Sequence, residues 1–335
     1  MAKPKESATH IGGQAVIEGV MIRNKAIYTI AVRKPDGTIS VTTQSINSPA
    51  QRSKALRAPF IRGIVVLIEN LVLGIKSLLY SAEVAMPEEE KEKRVKKEKR
   101  VKEEQEGTKT DSGDRLRSGN ADIIVLFGMV PALLLGVGLF MVLPNISTHY
   151  IGVIEENRPF LFNFVAGGIR LAVFVIYILA ISFMRDIKRT FQYHGAEHKC
   201  IYCYEAAKPL VIEEAKPFKT LHPRCGTSFL FFVFFITILV FPLVTVCLRF
   251  VIKDFAHLHI LYRKLITILL HLCVALPIIA SISYELLKLT DRLKSSFVMK
   301  ALIAPGLLLQ RITTKEPDDA QLEVAMEAVK AVTST

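Results

Sequence analysis

Runs of apolar residues alternate with charged stretches along the chain, and the lengths of the runs decide what they build. Crossing a hydrocarbon core takes about 20 mostly apolar residues in a helix. Four stretches reach that length, 122–144, 160–183, 228–252 and 265–289, and each is predicted to be a transmembrane helix. A fifth run, 60–80, carries Arg62, Glu69 and Lys76 at seven-residue intervals, which puts the charges on one helical face with Ile61, Val65, Ile68, Val72, Ile75 and Leu79 largely elsewhere. An amphipathic interfacial helix is predicted there, because a full span would bring Glu69 to the bilayer centre at a cost of about 2.5–3.5 kcal/mol. The run 297–309 is too short to span and contains Pro305-Gly306, which predicts a surface or re-entrant helix.

Upstream of the helices the texture is that of strands. Residues 27–33 and 38–43 are rich in β-branched side chains and flank the turn signal Pro35-Asp36-Gly37, so an antiparallel hairpin is predicted, with 15–22 as a third strand. The fold class is therefore an α-helical multi-pass membrane protein with a small N-terminal cytoplasmic sheet. Its parts are the sheet region (1–50), the interfacial helix (51–86), a charged linker (87–120), a transmembrane domain (121–310) whose cytoplasmic loop is 184–227, and a C-terminal tail (311–335) with a short helix over 318–332.

Charge decides the orientation. The chain combines 51% hydrophobic residues with a formal net charge of +12, which a membrane protein achieves by segregating the two into spans and flanks. Arg185, Lys188, Arg189, Lys199, Lys208, Lys216, Lys219 and Arg224 crowd the loop between the second and third spans, whereas the preceding loop holds only Arg158. Both termini are thus expected in the cytoplasm. Residues 1–10 lack the apolar core of a signal peptide. In the linker, acidic residues nearly cancel the basic ones and no aromatics are interleaved for base stacking, so nucleic acid is not an expected partner. Five cysteines in 335 residues exclude a disulfide scaffold.

The candidate chemistry lies in the basic loop. Tyr193-His194-Gly195-Ala196-Glu197-His198-Lys199 holds His-x-x-Glu-His, and at about 100° per residue His194, Glu197 and His198 would share one narrow helical arc. Two imidazoles at that spacing can hold a metal while the carboxylate acts as general base. Gly195 opposes helicity by about 1 kcal/mol, and a polar juxtamembrane helix with surface histidines is the competing reading. The same loop closes with His222-Pro223-Arg224-Cys225-Gly226, a tight turn carrying two more ligand types, His222 and Cys225. Arg224 and the following helix N-terminus favour a thiolate at Cys225, which serves metal binding and nucleophilic attack equally.

Other residues are weaker candidates. Glu18 interrupts an apolar strand and, if buried, needs a partner: Arg23, a later basic residue, or the metal. Cys200 and Cys203 form Cys-x-x-Cys, but Cys203 would point about 180° from His194 on one helix, so the pair is expected to be structural. Cys247 and Cys273 are expected to pack inside spans, while Arg170 and His271 place polar groups within the bilayer.

Taken together, GGQAVIEGVMIR (12–23), YHGAEHK (193–199), HPRCGTSFL (222–230) and PGLLLQRITTKEPDD (305–319) resemble the bacterial YqhQ-like family, also called domain of unknown function 1385. The resemblance implies a multi-pass protein of the bacterial cytoplasmic (inner) membrane, described as a metal-dependent enzyme, with His194, Glu197, His198, His222, Cys225 and Glu18 on the family pattern. The expected function is a membrane-embedded metal-dependent hydrolase at the cytoplasmic face, with Glu197 catalytic and His194, His198, His222 and Cys225 binding a divalent metal, Zn²⁺ first. Glu18, Arg23 and Arg224 are candidate ligands or supports of ligands. The expected partners are the bilayer and a lipid-linked or membrane-protein substrate. A scaffold or assembly factor with a structural metal site is the alternative, and an ion transporter the third reading, weakened by the lack of acidic residues in the spans.

Overall fold

The computed structural model describes residues 11–46, 61–89, 133–155, 157–252, 259–293 and 296–334, with positions 48, 53, 56, 58, 93, 130 and 131. Nearly all of the charged linker and the first residues of the 122–144 stretch lie outside the described residues.

The N-terminal strands are β1 (Gly12–Val16), β2 (Gly19–Asn24), β3 (Ile27–Arg33) and β4 (Ile39–Ser45), an antiparallel meander in sequence order. The expected strand 15–22 is split in two. Ile17 and Glu18 make a two-residue turn, with Glu18 in the left-handed region at φ 51°, and Val16 pairs with Gly19. The apolar residues on both sides of Glu18 concealed that turn, because the stretch contains no Pro-Gly or Asn-Gly signal. The expected hairpin is present: Gly37 takes φ 84°, and Asp36 accepts hydrogen bonds from the Thr38 amide (2.8 Å) and hydroxyl (2.6 Å).

Next in the chain come α1 (Ile61–Ala85) and α2 (Leu133–Tyr150). They are followed by α3 (Pro159–Ser182), α4 (Arg185–Glu205), α5 (Ile212–Ala215) and α6 (Gly226–Val251). The last three are α7 (Ile260–Arg292, with a π-helical turn at His271–Ala275), α8 (Phe297–Thr313) and α9 (Asp319–Ser334). Among the described residues five helices, α1, α2, α3, α6 and α7, are long and apolar enough to cross a membrane. Four were expected, and α1 adds the fifth. Two of its charged groups are paired: Arg62 binds Glu285 of α7 through two hydrogen bonds of 2.5 and 2.6 Å, and Glu69 binds Arg23 of β2 (3.1 Å) and Ser48. The first turn of α1 lies on α7, with Gly63 against Ser281, and its later turns lie on the sheet.

The sheet has both faces covered, which explains why β2 and β3 read as unbroken apolar runs. Val16, Met21, Tyr28, Ile30 and Val32 pack against Leu73, Tyr80 and Val84 of α1. Val20, Ile22 and Ala31 face the other way, onto Tyr193, Ala196 and Cys200 of α4 and Leu322, Ala325 and Val329 of α9. The C-terminal helix expected over 318–332 starts on a reciprocal cap, in which the Gln321 amide donates to Asp318 Oδ1 (2.8 Å) and the Asp318 amide to Gln321 Oε1 (2.9 Å).

Prolines mislead at two places. Helix α2 continues through Pro144 to Tyr150, where a stop at 144 was expected, because a π-helical turn at Gly138–Val142 immediately precedes the proline. That turn also carries the Phe140 carbonyl that accepts a 2.7 Å hydrogen bond from Arg170 Nε of α3. Helix α8 likewise runs unbroken through Pro305-Gly306, and Gly306 lets it rest on Ser228, where an added Cβ would stand 2.8 Å from the hydroxyl. Cys247 and Cys273 face outward instead of packing inside, since each lies one or two residues from the buried Leu248 and Ala275 and so on another side of its helix.

The α1–α7 contact gives a direct test. A Cβ on Gly63 would stand 2.9 Å from Ser281 Cα, so Gly63→Leu must push the helices apart. We expect the variant to lose about 1–3 kcal/mol of stability, read as a lower thermal unfolding midpoint in detergent, while Ile64→Leu leaves the midpoint nearly unchanged.

Candidate metal centre

Two residues separate the end of α3 from the start of α4, which carries the His-x-x-Glu-His motif as regular helix, Gly195 included. The glycine has a packing reason. Residues 313–316 pass directly over α4: the Lys315 amide donates to the Phe191 carbonyl (2.9 Å), and a Cβ on Gly195 would lie 2.0 Å from the Lys315 carbonyl oxygen. Lys199, one helical turn on and buried, donates to the Lys216 carbonyl (2.7 Å) and to Glu316, which ties the same segment down.

This passage delivers a carbonyl to the site. His194 Nδ1 donates to Thr313 O at 2.8 Å, and His198 Nδ1 donates to Thr220 O. A carbonyl only accepts, so both Nδ1 atoms carry the proton and both Nε2 lone pairs are left for another partner. That partner is in place: His194 Nε2 is 3.1 Å from Cys225 Sγ, and the ligand atoms of His194, His198 and Cys225 all lie within 4.8 Å of one another.

Cys225 arrives through a turn. Its amide donates to the His222 carbonyl (3.2 Å), which closes His222-Pro223-Arg224-Cys225, and Cys225 then caps α6, with the Thr227 hydroxyl donating to the sulfur at 3.3 Å. Gln310 of α8, fully buried, grips both backbone groups of His222: its Oε1 accepts from the His222 amide and its Nε2 donates to the His222 carbonyl, each at 2.8 Å. Gln310 escaped sequence reasoning, although a lone amide on the apolar face of α8 is the signal that would have found it.

Glu197 is 3% exposed and its Oε2 has no hydrogen-bond partner among the described residues. Burial pushes its carboxyl above the usual carboxylate range, and charge on His194 and His222 and the Gly13 amide oppose the rise. Burial likewise pushes the His198 imidazole below its ordinary value and favours the neutral ring that ligation requires. Gly13 is needed for this approach, since a Cβ there would meet Met21 O at 2.3 Å.

The remaining candidates fall elsewhere. His222 stands beside the three converging groups, its ring centroid 5.5 Å from that of His198, without joining them. Glu18 is held by Arg189 (2.6 Å) and Tyr193 (3.3 Å), so its partner is a later basic residue and it steadies α4 from the sheet. Arg23 pairs with Glu69 and Asn70 of α1, away from the histidines. Arg224 is engaged by Glu205, which directs its guanidinium to that carboxylate and not to Cys225. Cys200 and Cys203 are buried and donate to the carbonyls of Leu322 (3.8 Å) and Pro209 (3.3 Å), in keeping with a structural pair.

The donor set suits a transition metal. Two imidazoles and a cysteine sulfur are three of the four ligands that a tetrahedral zinc site would use, and they would leave a fourth position open, as catalytic sites do. Each imidazole is also oriented by a carbonyl on its other nitrogen. The orphaned Glu197 oxygen beside them fits a group that acts on what enters that position.

Comparison with known proteins agrees with the motif-level resemblance. The family model described as "Protein of unknown function (DUF1385)" matches residues 58–335. The chain is 33% identical over 324 residues to "Uncharacterized protein YqhQ" of Bacillus subtilis (strain 168), an alignment covering 95% of this chain and 90% of that protein. No solved structure matches.

The passage over Gly195 can be tested in isolation. Gly195→Ala should force residues 313–316 off α4, with a loss of about 1–3 kcal/mol and faster amide exchange at Lys315 than in the wild type. Unchanged exchange at Lys315 would show that the segment is held by other contacts.

Proposed function

The chain belongs to the DUF1385 family, and we propose that it is a membrane-embedded, metal-dependent enzyme, a hydrolase working at the cytoplasmic face of the bacterial inner membrane. The observation that carries this reading is the convergence of His194, His198 and Cys225 beside a buried carboxylate with an unpartnered oxygen. His194, His198 and Cys225 would hold a divalent metal, Zn²⁺ first on ligand chemistry. A metal held there would supply Lewis-acid chemistry and would make a water acidic enough to lose its proton near neutral pH. Glu197 Oε2 takes up the proton released from a water and returns it to the leaving group, a role that its burial and raised pKa suit.

Both termini are cytoplasmic in this reading, with α2, α3, α6 and α7 as spans. Helix α1 runs from the inner interface onto the sheet, where Arg23 meets Glu69. The site lies next to the N-terminal end of α6, at the inner leaflet, which favours a lipid-linked or membrane-protein substrate. A second reading has its own support: the 3.1 Å contact of His194 Nε2 with Cys225 Sγ, with the ring oriented by Thr313, is also the geometry of a cysteine nucleophile with its base.

Elemental analysis of the detergent-purified protein tests the first reading. We expect about one metal per chain in the wild type and in Glu197→Gln, and almost none in His194→Ala or Cys225→Ala. Wild-type protein without metal removes the metalloenzyme. Alkylation of Cys225 that slows sharply in His194→Ala would then support the nucleophile.

A further inference from the structure

Helix α8 divides its residues between two environments. Ile303, Gly306, Gln310 and Thr313 recur at intervals of three and four and form its buried face. That face rests on the first turn of α6: Gly306 lies against Ser228, and Gln310 Nε2 donates to the Ser228 hydroxyl at 3.3 Å. Phe297, Ala301, Ala304, Leu308 and Arg311 recur at the same intervals on the opposite side, and all are exposed, Phe297 at 84% and Leu308 at 58%. At about 100° per residue the exposed Lys300 falls beside Arg311, so two cations lie along one edge of this face, about three turns apart. The helix has no acidic residue, and neither cation pairs with a carboxylate among the described residues.

We propose that α8 lies on the inner leaflet of the membrane and binds anionic phospholipid there, with Phe297 and Leu308 among the acyl chains and Lys300 and Arg311 on lipid phosphates, and that this seating holds the candidate metal centre in shape. The placement rests on the topology given above. Helix α8 follows α7, the last span, and its end returns the chain to α4 and the sheet, so both of its ends lie on the cytoplasmic side and it does not cross. Its seat on the first turn of α6 puts it at the depth where that span leaves the bilayer. An apolar face edged by cations matches the boundary between acyl chains and anionic headgroups. From its buried face the same helix reaches the centre. Gln310 holds both backbone groups of His222 at 2.8 Å, and the Thr313 carbonyl, one of the last four of the helix and so without an intrahelical partner, accepts from His194 Nδ1 at 2.8 Å. Lipid contact and centre thus occupy opposite faces of one unbroken helix.

The chain contains no tryptophan, so Phe297→Trp places a single fluorophore on the exposed face. Full-length protein with this substitution is put into nanodiscs of phosphatidylcholine and phosphatidylglycerol, with bromine on the acyl chains of one lipid or the other. Quenching should be stronger from brominated phosphatidylglycerol. Adding Lys300→Glu and Arg311→Glu should abolish that preference, to which each cation contributes about fivefold, whereas Lys34→Glu on the β3–β4 turn should leave it unchanged. In the unsubstituted protein the His222 amide, which Gln310 holds, should exchange about fivefold more slowly when phosphatidylglycerol is present than in phosphatidylcholine alone. Equal quenching by the two lipids overturns the anionic site, and quenching by neither overturns it in favour of a protein on this face. Exchange at His222 that ignores lipid composition overturns the link to the centre. If the charge reversals prevent folding, the two lipid comparisons still decide. All samples are treated with chelator, so a wild type without metal fails the metalloenzyme reading and leaves this proposal standing. A C-terminal tag cut by protease outside intact spheroplasts fails the topology, and the inner-leaflet placement with it.

Discussion

The centre depends on one close passage, that of residues 313–316 over α4 at Gly195. With 2.0 Å between the Lys315 carbonyl oxygen and the position a Cβ would take, no other residue permits it. The passage brings the Thr313 carbonyl to His194, sets that ring's tautomer and thereby aims Nε2 at Cys225. It also returns the chain to α9, which covers the sheet face that α4 shares. A helix-destabilising residue within the motif is thus explained by packing, at a propensity cost of only about 1 kcal/mol.

Around this point the protein solves a solvation problem. Polar chemistry is buried where apolar helices meet the N-terminal sheet, and nearly every described polar group there has a fixed partner: Lys199 with Lys216 and Glu316, Gln310 with His222, Glu18 with Arg189. Among the described residues Glu197 Oε2 is the exception at the site. A buried carboxylate oxygen without a partner costs free energy, and such a cost is characteristic of functional positions. Within the apolar helices the same accounting is met by backbone irregularity, as where the π-helical turn of α2 presents the Phe140 carbonyl to Arg170.

Much of this was legible in advance. Apolar run length located three of the long helices within a few residues, since roughly 20 apolar residues in a row have few other stable outcomes. The His-x-x-Glu-His spacing put His194, Glu197 and His198 on one arc, and the Pro-Gly turn signal suggested that Cys225 could be aimed back at them. Helix ends at Pro144 and Pro305-Gly306 were misread because a π-helical turn and a tight contact with Ser228 have no local signature. The role of Glu18 was undecided because its partner, Arg189, lies 171 residues away.

By itself, the sequence determined the class of molecule, the apolar helices, the sheet and the ligand types, because hydrophobic periodicity and residue chemistry are local properties. Only the tertiary structure decided which histidine nitrogens face the centre, since each tautomer is set by a backbone group distant in sequence: Thr313 for His194 and Thr220 for His198. It likewise separated His194, His198 and Cys225 from Arg23 and Arg224, whose charges were spent on Glu69 and Glu205. Hydrogen-bond pairing is a property of positions in space, and the spacing of residues along a chain does not contain it.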